Sequence, residues 1–194
     1  MANALFIIDV QNDFCEGGAL ACQGGAAVAG KITSFVNENP SRYDFVIASR
    51  DWHTPGEENG GHFPPEGQEP DFVNTWPLHC LADEEGADYH PNLDISIIDI
   101  HIKKGQGAHG YSIFEGTTDR GEKLTDLLRR LEIDEVDVLG IATDYCVRAS
   151  SLDAVAEGLA VKVITSLTAG VAADSTEAAI DEMADAGVEV LAAP

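Results

Sequence analysis

Cys146 is where the chemistry of this chain concentrates. It stands in VDVLGIATDYCVR, Val136 to Arg148, where an apolar, β-branched run to Ile141 turns at Ala142 and Thr143 into a helical pattern. A thiol in the first turn of a helix is placed to react. Thr143 is a suitable cap, the unpaired N–H groups of that turn point toward the sulfur, and the helix dipole favours thiolate over thiol. The same N–H groups suit a developing oxyanion. The competing reading is a small buried hydrophobe, the commoner fate of a free cysteine.

Four further stretches carry groups that would complement a thiol. Asp9 ends the apolar run from Ala4, and a carboxylate there is costly unless it faces a crevice or has a partner. Asp51 and His53 follow the run DFVIAS, two apart in extended backbone and therefore pointing the same way. His62 and His79 come next, in a loop from Thr54 to Leu93 rich in Gly, Pro, Glu and Asp. One carboxylate and three imidazoles suit a divalent transition metal, Zn, Fe or Mn, better than Ca or Mg. A metal would also pin an otherwise floppy loop, and a loop this long inside a compact domain is usually functional or disordered. Lys103 and Lys104 close a third apolar run, and strand alternation turns one of them toward the crevice and the other away.

The elements that must position these groups alternate between strand and helix. Strands are expected at Ala4–Val10, Asp44–Ser49, Ile95–Ile102, Val136–Ile141, Ala160–Ser166 and Val188–Leu191. Helices are expected at Gly25–Asn39 with Val28, Ile32, Phe35 and Val36 inward, and at Thr118–Ile133 with Leu124, Leu127, Leu128 and Leu131 inward. Further helices follow from Cys146 to Leu159 and from Ser175, as cap, to Ala186. The pattern predicts one α/β domain over residues 1–194: a mostly parallel open sheet of about six strands with helices on both faces. In such a sheet the C-terminal edge collects Asp9, Asp51 with His53, Lys104 and Cys146. That edge then holds a nucleophile, a carboxylate to take its proton, a cation to balance that carboxylate, and a metal beside them.

Composition narrows the classes. With 34 acidic against 11 basic side chains and a formal charge of −23, a phosphate backbone or an anionic membrane would be repelled, so neither nucleic acid nor membrane is an expected partner. Cys15, Cys22, Cys80 and Cys146 form no CxxC pair and are expected as free thiols. The apolar run after Met1 is too short for a signal segment and lacks a basic flank, which makes a cytoplasmic protein the expectation. The oligomeric state is left open, a homo-oligomer included.

Five blocks in order, IIDVQNDFCEGGAL, ASRDWHTP, TWPLHC, KKGQGAHGYSIFEG and GIATDYCVRASSLDA, resemble the nicotinamidase/pyrazinamidase branch of the isochorismatase-like cysteine hydrolases. The resemblance covers nearly the whole chain. It implies the fold of that family and hydrolysis of nicotinamide, and of pyrazinamide as well, to the acid and ammonia through a thioester, in NAD salvage. It implies Asp9, Lys104 and Cys146 as the triad, Lys104 being chosen over Lys103 because it directly precedes the glycine. It implies Asp51, His53, His62 and His79 as ligands of one divalent metal. Phe14 and Trp76 resemble the walls that hold the pyridine ring, with Leu20 and Tyr111 as further pocket residues. A cis peptide before Ala142 is implied too, making an oxyanion hole of the Ala142 and Cys146 N–H groups. Two departures stand out: Tyr145 replaces a histidine of some relatives, and the insertion GEENGG puts the match of His62 in question. The rival readings are another amidase of the superfamily and a non-catalytic metal-binding or thiol-sensing protein on the same sheet.

Overall fold

A computed structural model describes residues 2–194. Among these, seven strands form one sheet: β1 (Ala2–Ile8), β2 (Phe45–Asp51), β3 (Ile100–Lys104), β4 (Thr117–Thr118), β5 (Ile133–Ile141), β6 (Ala160–Ala169) and β7 (Glu189–Leu191). Their spatial order is β4-β3-β2-β1-β5-β6-β7, and every pairing is parallel except β3 with β4. The chain runs outward from β1 through β2 to β3, then resumes on the other side of β1 with β5. The crevice between the C-terminal ends of β1 and β5 is therefore the topological switch point, where open α/β sheets bind ligands.

Among the described residues four α-helices cover the sheet: α1 (Gly25–Glu38), α2 (Leu124–Arg130), α3 (Arg148–Ala156) and α4 (Ala173–Asp185). The alternation of β1 decides which face each residue serves. Leu5 and Ile7 pack with Val28, Ile32 and Phe35 of α1, whereas Ala4, Phe6 and Ile8 pack with Leu124 and Leu127 of α2, Ala154 of α3 and Met183 of α4. β1 and the inner part of β5 are buried on both sides, which is why both read as near-continuous apolar runs.

Several boundaries differ from expectation, each for a local reason. Residues Ile95–Ile97 form a 3-10 turn instead of strand, because Asp94 Oδ1 accepts from the Ser96 amide at 2.9 Å and starts a turn. The third strand begins only at Ile100 and runs through both lysines. The helix expected from Thr118 starts at Leu124, since Thr117–Thr118 pairs antiparallel with β3 and Thr118 takes a turn with Gly121 and Glu122. Thr143 does not cap a helix: Ala142 holds the cap position of a π turn over Thr143–Val147, and the Thr143 hydroxyl bonds Thr168 Oγ1 at 2.9 Å. Ser175 likewise lies inside α4, whose cap position is Ala172. No side chain caps it; buried Asp144 braces the turn before it, accepting from the Val171 and Ala172 amides and the Ser175 hydroxyl. Among the described residues no helix is long and apolar enough to cross a membrane.

Candidate active site

Asp9 lies one residue beyond β1 with φ +47, a left-handed turn that few non-glycine residues adopt. It is wholly buried, and its Oδ1 accepts from the Ser49 hydroxyl at 2.7 Å. Lys104, at the end of β3, is also wholly buried. Its Nζ stands 2.7 Å from Asp9 Oδ2, in close contact with Asp51 Oδ1 and the Gly110 carbonyl, and 3.8 Å from Cys146 Sγ. Lys103 points away and pairs with Asp119 at 3.2 Å. Cys146 is buried in the π turn that follows β5, and one ligand atom each of Asp9, Asp51 and Cys146 lie within 4.8 Å of one another. Three strand ends and one strand-to-helix turn thus deliver two acids, an amine and a thiol to the switch point.

The electrostatics of this cluster favour a neutral thiol, contrary to the expectation of a thiolate held by the helix end. Burial pushes Cys146 well above its ordinary value; Lys104 offsets part of that, and Asp9 and Asp51 add to it. Burial also raises Asp9, to about 6, with Lys104 restraining the rise and Asp51 adding to it. For Asp51 burial is outweighed by Lys104, His53 and His79, which hold it below the usual carboxylate range. Burial works against the charge on Lys104, but Asp51 and Asp9 overcome it and hold the amine well above its ordinary value.

Beside these groups His53, His62 and His79 converge, all buried. His53 Nδ1 meets the Gly105 carbonyl at 2.9 Å and His79 Nδ1 meets the Pro77 carbonyl at 2.7 Å, so on both rings the proton sits on Nδ1 and the lone pair on Nε2. His53 Nε2 is a buried nitrogen with no hydrogen-bond partner, and lies 3.7 Å from Asp51 Oδ2. His79 Nε2 is 3.9 Å from the same oxygen and 3.3 Å from His62 Nε2. Two nitrogens each bound at about 2.0–2.1 Å to a tetrahedral zinc would lie about 3.3–3.4 Å apart, so the cluster fits a first-row metal. Burial and the neighbouring imidazoles lower His62 to about 3, and burial lowers His79, which keeps both rings neutral as ligation requires. Gly105 is part of this arrangement: its φ is +83, and a Cβ on it would meet His53 Cε1 at 2.7 Å. Gly105→Ala should therefore cost about 1–3 kcal/mol and dislodge His53. Urea unfolding and metal content of the purified variant check this, and parental values in both would refute it.

A pocket opens above these groups. Phe14, Leu20, Trp76 and Tyr111 line it with Ala142 and Cys146, and Asp51, His62 and His79 form its polar end. Trp76 Nε1 donates to Tyr111 Oη at 2.8 Å, which fixes both rings. The peptide between Ile141 and Ala142 is cis.

Residues 3–194 match the model of the isochorismatase domain. The chain belongs to the isochorismatase family. It is 48% identical over 188 residues to the nicotinamidase/pyrazinamidase of Mycobacterium tuberculosis, covering 97% of each chain. It is 40% identical to the nicotinamidase of Escherichia coli, covering 87% of this chain and 83% of that one. Among solved structures, an Acinetobacter baumanii nicotinamidase/pyrazinamidase superposes with a TM-score of 0.84 at 32% identity, covering 98% of this chain and 95% of that one. A Pyrococcus horikoshii pyrazinamidase in complex with zinc superposes at 0.79 with 31% identity, covering 98% and 99%.

Within this isochorismatase-family site, several supporting residues carried no signal in the sequence. Gln11 is wholly buried and holds β2 in place, donating to the Asp51 and Ala87 carbonyls and accepting from the Asp51 amide. Asp13 accepts from the Cys80 amide at 2.7 Å, fixing the segment that carries His79. Tyr145, noted only as a departure, lines the pocket and meets Trp76 edge-on at 5.2 Å; Cys22 and Val171 also line it. The GEENGG insertion does not displace His62. Its buried Asn59 accepts from the Thr54 and Gly107 amides and donates to the Thr54 and Glu57 carbonyls, closing the extra residues into a compact turn that His62 follows. Only the pattern of a polar residue among glycines pointed to a turn there.

Proposed function

We propose that this chain is a metal-dependent nicotinamidase that also accepts pyrazinamide, releasing ammonia through a thioester on Cys146. The observation that carries the reading is the meeting of Cys146, Asp9 and Lys104 at the switch point, beside three imidazoles and under an aromatic pocket. Asp51, His53, His62 and His79 would hold the metal, which when bound supplies an electron-pair acceptor for the ring nitrogen of the substrate. Phe14, Leu20, Trp76 and Tyr111 embrace the flat ring and exclude water.

Because the resting thiol is neutral, the reaction begins with proton transfer. Asp9 takes the thiol proton as Cys146 Sγ adds to the carboxamide carbon, while Lys104 stays charged and limits the build-up of negative charge. The oxyanion is received by the Ala142 and Cys146 N–H groups, a donor of this kind being worth about 2.7–4 kcal/mol in acyl transfer. Asp9 returns the proton to the amide nitrogen, the C–N bond breaks and ammonia leaves. Asp9 then takes a proton from water as it attacks the thioester; the carboxylic acid departs as nicotinate and the sulfur recovers its proton. The product would enter NAD salvage.

The test is ammonia release from nicotinamide, and separately from pyrazinamide, by purified protein with metal content measured on the same sample. Release that disappears on chelation and returns with added zinc, iron or manganese is the expected result. A metal-loaded, thiol-reduced sample that releases none would overturn the reading. With Asp9 raised to about 6, kcat/KM should be flat near neutrality and fall about tenfold per pH unit well below 6, as the base becomes protonated.

A further inference from the structure

We propose that His109 is a positioning residue for His62, setting the tautomer that the third imidazole needs in order to bind metal. The inference rests on the metal reading above. His53 and His79 have their Nδ1 atoms on backbone carbonyls, which only accept and so fix each proton. His62 has no such carbonyl. Its Nδ1 lies 3.4 Å from His109 Nδ1, with the two rings 5.5 Å apart and nearly perpendicular, at 85°. To present a lone pair at Nε2, His62 must carry its proton on Nδ1, and His109 Nδ1 is the acceptor in reach. If that acceptor were missing, the proton could move to His62 Nε2 and bond His79 Nε2 at 3.3 Å, closing the site against a metal.

His109 is itself held for the purpose. Its ring lies 6.0 Å from that of Tyr111 and nearly parallel, at 13°, and Tyr111 is anchored by Trp76. The loop that carries it is clamped by the GEENGG turn: Asn59 Oδ1 accepts from the Gly107 amide at 3.0 Å, and Gly60 packs so closely that a Cβ would come within 3.2 Å of Ala108 Cα. The insertion that lengthens the metal loop thus also docks the segment bearing His109.

Loss of an outer partner of this kind weakens metal binding about 10–100-fold. Zinc affinity, measured by competition with a chromophoric chelator, should fall in that range for His109→Ala and for His109→Phe. The phenylalanine keeps the stack on Tyr111 but has no acceptor. His109→Asn, whose amide oxygen stands where Nδ1 stood, should recover most of the affinity, and thermal unfolding of the metal-free proteins should match the parent. Ala and Phe variants within twofold of the parent would overturn the inference, as would recovery by Phe equal to that by Asn. A parent protein that binds no zinc, iron or manganese would instead overturn the metal reading itself.

Discussion

Cys146→Ala should lower ammonia release by at least about 10⁴-fold, since removing the nucleophile of a catalytic unit costs about as much as removing the whole unit. The remaining groups do not replace it. Asp9 would still hold Lys104, and the imidazole cluster would still stand, so metal content and the far-UV circular dichroism should be those of the parent. That combination separates two routes. If the chain hydrolysed its amide by direct attack of a metal-activated water, the variant would keep much of its rate. Activity within about tenfold of the parent in a metal-loaded sample would therefore remove the thioester from the mechanism. Rapid mixing of the parent should show a burst of ammonia of up to one equivalent if thioester hydrolysis is slow, because ammonia leaves before the acid.

Lys104→Met should be the most destabilising single change in the site. The side chain is wholly buried and its ammonium faces Asp9, Asp51 and the Gly110 carbonyl. Methionine keeps the chain through its ε carbon and lacks only the amine, so packing is largely kept and the loss is mainly electrostatic. Breaking a buried ion pair from one side costs about 3–5 kcal/mol, because the remaining charge is left buried without a partner. Here two carboxylates are left together. The sign of the pH dependence follows. Asp9 is already raised above its unfolded value and would rise further without the amine. A group of that kind contributes stability below its unfolded pKa and loses it as pH rises through the folded one. Urea unfolding should therefore show a larger deficit against the parent at pH 8 than at pH 5, and activity should be lost throughout. A deficit below about 1 kcal/mol at pH 8 would mean that the three charges are not coupled as the geometry indicates.

The α/β architecture was legible because burial on both faces of β1 and β5 leaves apolar runs that little else produces, and because amphipathic stretches separate them. Asp9, Cys146 and the lysine pair could be picked out as charged or nucleophilic residues at the ends of such runs. The choice of Lys104 over Lys103 came from resemblance; in the structure β3 alternates, placing Lys104 among carboxylates and Lys103 beside exposed Asp119. Local capping was poorly legible. Thr143 and Ser175 have the chemistry of caps, but Thr143 bonds Thr168 and Ser175 lies inside α4 with its hydroxyl on Asp144, which reaches across from the π turn. A side chain with several available acceptors or donors is assigned by what comes near it in space.

Residue type and period determined, from the sequence by itself, an acidic chain of parallel strands whose C-terminal ends carry a thiol, a carboxylate and an amine, with a loop of imidazoles between. Those features follow from which side chains must leave water and how often they recur. Tertiary structure alone decided that β5 returns beside β1, bringing Cys146 next to Asp9, and that the amine stands between two carboxylates. It also decided that burial pushes the Cys146 thiol up, and that Gln11, Asp13, Asn59 and His109 brace the site. The reason is common to all of these: desolvation and hydrogen-bond partnership depend on distances between residues far apart in the chain, and no local pattern encodes them.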